Sequence, residues 1–236
     1  MAAMVMASGL WMIWTAPFWQ IETIEIRGTS PHTLTYLQDF LAQAQIKGKH
    51  LLGFNPLELE QQVEQNPLVK NAQFERELLP TRLVIKVQER TPAYLVLHEK
   101  RYYTYTPAAS FVIDYEGVVL PLPPNTVPAS ELRVSIEPEL VKAQFPAPQL
   151  DLLRQLETLQ DQKKLNVKGV FNLSNPQNII LQLEEPALKI WLGRAEDLPI
   201  KLRLIEPTLK TAELEKAKID YVDLRFWKHP VVKTRS

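Results

Sequence analysis

The chain opens on an uncharged apolar run, Ala2 to Trp19, followed by more than two hundred residues of ordinary soluble composition. A helix of roughly eighteen residues, at about 1.5 Å of rise each, reaches ~27 Å and crosses a thin hydrocarbon core. No Lys or Arg precedes Arg27, and Trp11, Trp14, Phe18 and Trp19 gather toward the end of the run, as aromatic residues do at a membrane interface. A cleaved signal peptide opens on basic residues and closes on a small-residue cleavage site, and this run does neither. A core helix is polar along one side, whereas this run is apolar all round. The run therefore reads as a retained anchor over residues 1–19. The absent basic flank predicts a truncated or misassigned start, and it leaves orientation undecided by the positive-inside rule.

Composition narrows what the rest can be. With 236 residues, 45% of them hydrophobic and 23% charged, the chain can bury one or two cores. Twenty-seven basic residues balance twenty-seven acidic ones, which gives no electrostatic footprint for a phosphate backbone and argues against nucleic acid as a partner. The absence of cysteine excludes disulfides, thiolate catalysis and Cys-ligated zinc. Nineteen prolines against seven glycines predict short elements joined by stiff connections.

After the anchor, Ile21 to Arg27 reads as a strand closed by Gly28. Ser30-Pro31 is an N-cap followed by proline at the first helical position, and Leu34, Leu37, Phe40, Leu41 and Ala44 recur at helical spacing. Asn55-Pro56 repeats the start signal, with Leu59 and Val63 on one face, and Asn66-Pro67 stops that helix. Strands follow at Leu68 to Arg76 and Arg82 to Arg90, with Phe74 and Val84 assigned to the core. The order is β-α-α-β-β over residues 20–90. Beyond Pro92 short strands dominate: Ala93 to Leu97, Arg101 to Tyr105, Ser110 to Ile113, Val118 to Leu120, Glu131 to Ile136, then Val167 to Leu173, Asn178 to Leu183 and Leu188 to Leu192. Asp114 and Gly117 suit a turn. Pro148 to Gln160 reads as a helix, and Leu198 to about Lys218 as a helical region that kinks or restarts at Pro207. The chain finishes on a strand from Ile219 to Trp227 and a basic tail.

No constellation carries chemistry. His32, His50, His98 and His229 are scattered, and none stands at metal-binding spacing with another ligand. Gly48-Lys49 and Gly193-Arg194 lack the run of glycines that would cradle a phosphate. Glu184 and Glu185 are adjacent, so in a strand they point to opposite faces and make a poor catalytic pair. No serine stands in a nucleophile-elbow pattern. The residues give no support for an enzyme and none for a cofactor.

The informative motifs resemble a family. Ile24-Glu25-Ile26-Arg27-Gly28, Asn66-Pro67-Leu68-Val69-Lys70-Asn71-Ala72, Gln73 to Arg76, Leu79 to Leu83 and Val87 to Ala93 resemble a POTRA domain of the type in the bacterial division proteins FtsQ and DivIB. The Ile113 to Val119 run resembles the segment that follows in that family. Trp191-Leu192-Gly193-Arg194 and Ile219 to Phe226 are similar to its C-terminal signature. The resemblance covers nearly the whole chain in the right order. It implies a non-enzymatic, single-pass divisome scaffold without cofactor, whose body lies outside the cytoplasmic membrane. It also implies FtsB- and FtsL-type partners, captured by strand addition near the C-terminus across Arg225 to Lys233. Phe226, Val231 and Val232 lie within that edge, and Arg194 supplies a charge nearby.

The residues also admit other readings. A terminal strand offers unpaired N–H and C=O groups that take another chain by β-augmentation. Pattern alone favours an edge protected against pairing, because Pro230 removes a donor while Lys228 and Lys233 add charge. Glu89-Arg90 reads equally as a domain contact or as a solvated strand end. A rival from another class is a transport or secretion module, since POTRA domains also precede outer-membrane barrels, but strands of about ten alternating residues are absent. An exported enzyme with a polar pocket is a third reading. The expected fold is α+β: an N-terminal transmembrane helix, a small POTRA domain at 20–90, then a larger antiparallel-sheet β domain at 91–236 with flanking helices.

Overall fold

The alternating residues after Trp19 form a three-stranded sheet. Its strands β1 (Thr23–Arg27), β2 (Val69–Leu78) and β3 (Thr81–Glu89) take the order β1-β3-β2, with β1 parallel and β2 antiparallel to the central strand. The computed structural model describes residues 19–78, 81–98, 110–123, 126–162, 168–214 and 219–234. The chain divides between Arg90 and Thr91 into two compact units. In the first unit, α1 (Pro31–Gln43) and α2 (Pro56–Val63) connect β1 to β2. Each opens on proline, whose missing N–H has no partner to lose in the first turn. Leu37 and Leu41 of α1 and Leu59 and Val63 of α2 bury against Phe74, Leu83, Ile85 and Val87. Each such side chain contributes roughly 1.5–3 kcal/mol when fully buried. Val84, which alternates to the other face of β3, is buried as well.

The two helix starts differ in chemistry. Asn55 caps α2, its side chain accepting from the Leu57 N–H at 3.2 Å. Ser30 stands at the N-cap of α1, but its hydroxyl makes no cap bond. Instead its N–H donates to the Glu89 carboxylate at 2.6 Å. Glu89 therefore ties the end of β3 to the β1–α1 connection, a third role beside the two that the sequence suggested.

Among the described residues the second unit is built on one nine-stranded sheet. In chain order its strands are β4 (Tyr94–His98), β5 (Ser110–Ile113), β6 (Val119–Leu120), β7 (Arg133–Ile136), β8 (Gly169–Asn172), β9 (Ile179–Leu183), β10 (Leu188–Gly193), β11 (Ile219–Asp223) and β12 (Val231–Thr234). In space they run β12-β11-β10-β9-β8-β7-β4-β5-β6. The expected antiparallel sheet is corrected to a mixed one, because β4 with β7, β7 with β8, and β10 with β11 are parallel. Parallel neighbours need a long crossover, and α3 (Ala147–Asp161) and α4 (Leu198–Leu214) supply two of them. Leu152, Leu153 and Leu156 of α3 and Leu198, Leu202 and Ile205 of α4 share a core with Val134, Phe171, Leu181, Ile190 and Val222.

Two local expectations meet the structure differently. Asp114 is buried and its Oδ1 accepts from the Glu116 and Val118 N–H groups at 2.9 and 2.8 Å, while Gly117 takes φ +83°, so the β5–β6 turn forms as its residues suggest. Helix α4 runs as one element through Pro207, so it does not restart there. Leu202 and Ile205 before the proline and Leu209 after it all pack on the same core, which holds both halves to one surface. Among the described residues no helix is long and apolar enough to cross a membrane. The anchor expected at 1–19, Trp19 apart, and the strand expected at Arg101 to Tyr105 lie outside the described residues.

Candidate functional site

The docking edge begins with a correction to the C-terminal strand. The alternation of Tyr221 to Trp227 predicts one continuous strand, but β11 ends at Asp223 and residues 225–228 form a turn. Asp223 ends it: its carboxylate accepts from the Arg225 N–H at 3.0 Å and from the Arg225 guanidinium at 2.6 Å. An aspartate that bonds the backbone two residues on turns the chain instead of extending it. Val222 and Leu224 are buried, and the Leu224 N–H donates to the Trp191 carbonyl at 2.8 Å. Phe226 is 75% exposed at the turn, so it does not belong to the core face with them. The edge strand is therefore Val231–Thr234, paired antiparallel to β11 through Val222 with Val232 and Asp223 with Val231.

The side chains of this edge divide by face. Val232 packs partly on the core, whereas Val231 is 55% exposed and Lys233 is exposed. On the face away from the helices, Trp191 and Tyr221 stack with centroids 4.9 Å apart and planes 6° from parallel. The Arg225 guanidinium lies 4.5 Å over Trp191, and the Lys233 ammonium lies 5.5 Å from the Tyr221 ring. A cation-aromatic ladder thus crosses β10, β11 and β12 beside the edge, and each contact is worth about 0.5–1 kcal/mol at an exposed site. Gly193 makes it possible: it sits at φ +69°, and a Cβ there would lie 2.9 Å from the Arg225 Cγ.

Arg194 follows Gly193 and is exposed, and its carbonyl accepts from the Lys201 ammonium at 2.8 Å. Lys201 is only 4% exposed, and burial lowers its pKa against the opposing pull of Asp197 and Glu196. Arg225 and Gly193 thus meet across β10 and β11, and Arg194 stands one residue further on, at the β10–α4 connection. The sequence pointed to Trp191, Gly193 and Tyr221 only as parts of the C-terminal signature, without their contacts, and did not point to Asp197. The available signal was alternation, since Ile190, Leu192 and Val222 face the core and leave Trp191 and Tyr221 outward.

Two other sheet edges are covered. At the β2 edge of the three-stranded sheet the N–H groups of Ala72 and Phe74 donate to the carboxylates of Glu64 and Glu60 at 3.0 and 2.9 Å. The nine-stranded sheet ends at its far side on β6, only two residues long, where the Val119 N–H donates to the Ala143 carbonyl at 3.2 Å and Val118 bridges Gln144. Nothing comparable covers β12 among the described residues. The nine strands also form an open sheet with two ends, not a closed barrel. Among the described residues, no group of three His, Asp or Glu side chains is placed to hold a metal ion.

The chain is thus of the two-unit class in which a three-stranded βααββ unit precedes a second unit built on an open mixed sheet, whose β12 end no described residue covers. Residues 20–90 match the POTRA domain of the FtsQ type, and residues 104–225 match the C-terminal domain of the cell division proteins FtsQ and DivIB. The cell division protein DivIB of Clostridium tetani (strain Massachusetts / E88) is 25% identical over 228 residues, which span 92% of this chain and 80% of that protein. The chain belongs to the FtsQ/DivIB family of cell division proteins.

Proposed function

We propose that this chain is a non-catalytic, single-pass scaffold of the divisome, with its body on the outer side of the cytoplasmic membrane, and that it captures FtsB- and FtsL-type division proteins by adding one of their strands to β12. The observation that carries the reading is the edge Val231–Thr234 at the end of the nine-stranded sheet, which no described residue covers. Backbone pairing at such an edge supplies affinity, and side chains on alternate faces choose the partner. Arg225, Phe226, Val231, Val232, Lys233 and, further along the sheet, Arg194 are the residues assigned to that choice. The apolar run Ala2 to Trp19 supports the anchor. Domain boundaries at 19/20 and 90/91 belong to the same proposal.

The test is affinity purification of the tagged, full-length protein from solubilised membranes of its own cells. Recovery of FtsB- and FtsL-type proteins, lost when β12 is disrupted, is the expected result. Recovery of an outer-membrane barrel in their place would favour the transport reading.

A further inference from the structure

Among the described residues up to Arg90, three large apolar side chains stand open to solvent: Leu52 at 44%, Leu57 at 57% and Leu78 at 51%. They come from three separate segments, and the backbone places all three at one end of the unit. The Trp19 carbonyl accepts from the Leu51 N–H at 2.7 Å, and Gln20 bridges His50, so Leu52 follows directly on the segment that pairs with the end of the apolar run. The rings of Trp19 and His50 stack at 5.9 Å. Leu78 pairs with Thr81 at the β2–β3 hairpin, one step from the Arg82 that stands beside Thr23 at the start of β1. Helix α2 runs antiparallel to β2: Glu64 bonds Ala72, Glu60 bonds Phe74, and the Phe54 carbonyl accepts from Arg76 at 2.6 Å. That order brings Leu57, in the first turn of α2, to the end where Leu78 lies. The other end of the sheet carries Val69, Glu89 and Ser30 and has no exposed large apolar side chain among the described residues.

We propose that this rim of Leu52, Leu57 and Leu78, together with Trp19, is a lipid-contacting surface that seats the first unit on the headgroup and acyl boundary of the membrane. The proposal rests on the anchor reading made above. Its own support is that the exposed apolar side chains collect where the chain emerges from its apolar run. Aromatic residues and leucine partition to this boundary and sink ~5–10 Å into it. An anchor alone would leave the unit free to swing, whereas a seated rim fixes which end faces the membrane.

The absence of cysteine makes the test direct. Leu52→Cys, Leu57→Cys and Leu78→Cys each create a unique thiol on the full chain, and Gln65→Cys places a control just beyond the opposite end of α2. Each variant is labelled with an environment-sensitive fluorophore and reconstituted into vesicles of phosphatidylethanolamine and phosphatidylglycerol that carry a shallow nitroxide quencher. Quenching at positions 52, 57 and 78 should exceed that at 65 by about twofold or more, as a rim held within ~10 Å of the headgroups requires. Equal quenching at all four sites, in protein that resists carbonate extraction, overturns the seated rim and leaves the anchor standing. Release of the chain by carbonate overturns both. Strong self-quenching of the labels without nitroxide would reassign the rim to contact between copies of the chain.

Discussion

The indole N–H of Trp227 donates to the carboxylate of Asp197 at 2.9 Å, which ties the turn before β12 to the residue that precedes α4. Asp197 holds this position at φ +59°, a left-handed conformation that aspartate tolerates better than most residues. The bond connects the turn before β12 to the start of a helix whose Leu198, Leu202 and Ile205 are buried. Asp197→Ala should therefore loosen β12 without unfolding the sheet. An exposed hydrogen bond of about 1 kcal/mol or less predicts up to about fivefold faster amide exchange in residues 231–234. The melting temperature should fall by less than about 4 °C. Asp197→Asn keeps an acceptor and should exchange as the native protein does; unchanged exchange in the alanine variant would show the tie to be idle.

Strand addition at β12 requires outward N–H donors. Successive N–H groups of a strand point to opposite edges, so of Val231→Pro and Val232→Pro one removes an outward donor and the other a bond to β11. The variant that removes the outward donor should melt with the native protein and yet lose FtsB-type binding and division. The other should lose stability first, because it deletes a backbone bond that holds β12 to β11. Full binding by both variants, folded, would refute docking at this edge.

Much of this architecture is legible in the residues, for local reasons. Proline at the first helical position, Asn55 before α2 and the Asp114 to Gly117 turn each set their own backbone, and the structure keeps them. Strand direction is not local. Nothing within β7 or β11 states that its neighbour is parallel, because that follows from which face α3 and α4 cover on the way. The same limit governs the docking edge. Alternation carries Tyr221 to Trp227 forward as one strand, and only the side-chain bonds of Asp223 to Arg225 show where it stops. Trp191 and Tyr221 stack because β10 and β11 are adjacent and parallel, a pairing between segments about thirty residues apart that no short motif encodes.

The Asp223–Arg225 pair makes a prediction about pH. Burial alone would raise the Asp223 pKa, but the hydrogen bonds and charge of Arg225 more than reverse this and hold the carboxyl below its ordinary range. The folded state thus binds that proton more weakly than the unfolded chain. The stabilisation is present above the unfolded value of about 3.9 and is lost as pH falls through the lower folded value. Asp223→Asn should accordingly destabilise by the same amount across about pH 5 to 8, with the two melting curves converging only below about 4. Convergence nearer neutrality would assign the dependence to another group.

Residues 20–90 should fold alone. The contacts of the chain divide at Arg90, and the βααββ unit holds its own core of Leu37, Val63, Phe74, Leu83 and Ile85. A fragment of this span should unfold in one cooperative thermal transition. A fragment that melts gradually, with no resolved side-chain signals in its spectrum, would show that the cut passes through a shared core.

The β2 edge offers the complementary experiment to the one on β12. At ten residues β2 is the longest strand of its sheet, and it has a neighbour on one side only. A long uncovered edge is a template for another chain, and helices or charges commonly close it. Here Glu60 and Glu64 of the α2 segment occupy the N–H groups of Phe74 and Ala72 as the carbonyls of an added strand would. Removing both carboxylates with Glu60→Ala and Glu64→Ala leaves those donors facing water. A hydrogen bond to a charged acceptor is worth roughly 1.5–3 kcal/mol, so exchange at Ala72 and Phe74 should quicken by about tenfold or more. The freed edge should also make the protein self-associate as its concentration rises. Glu60→Gln with Glu64→Gln retains an acceptor oxygen at each position and should stay monomeric and protected. A folded double-alanine protein with fast exchange but no association would show that this edge needs no cover, and that the two carboxylates serve only to dock α2 on β2.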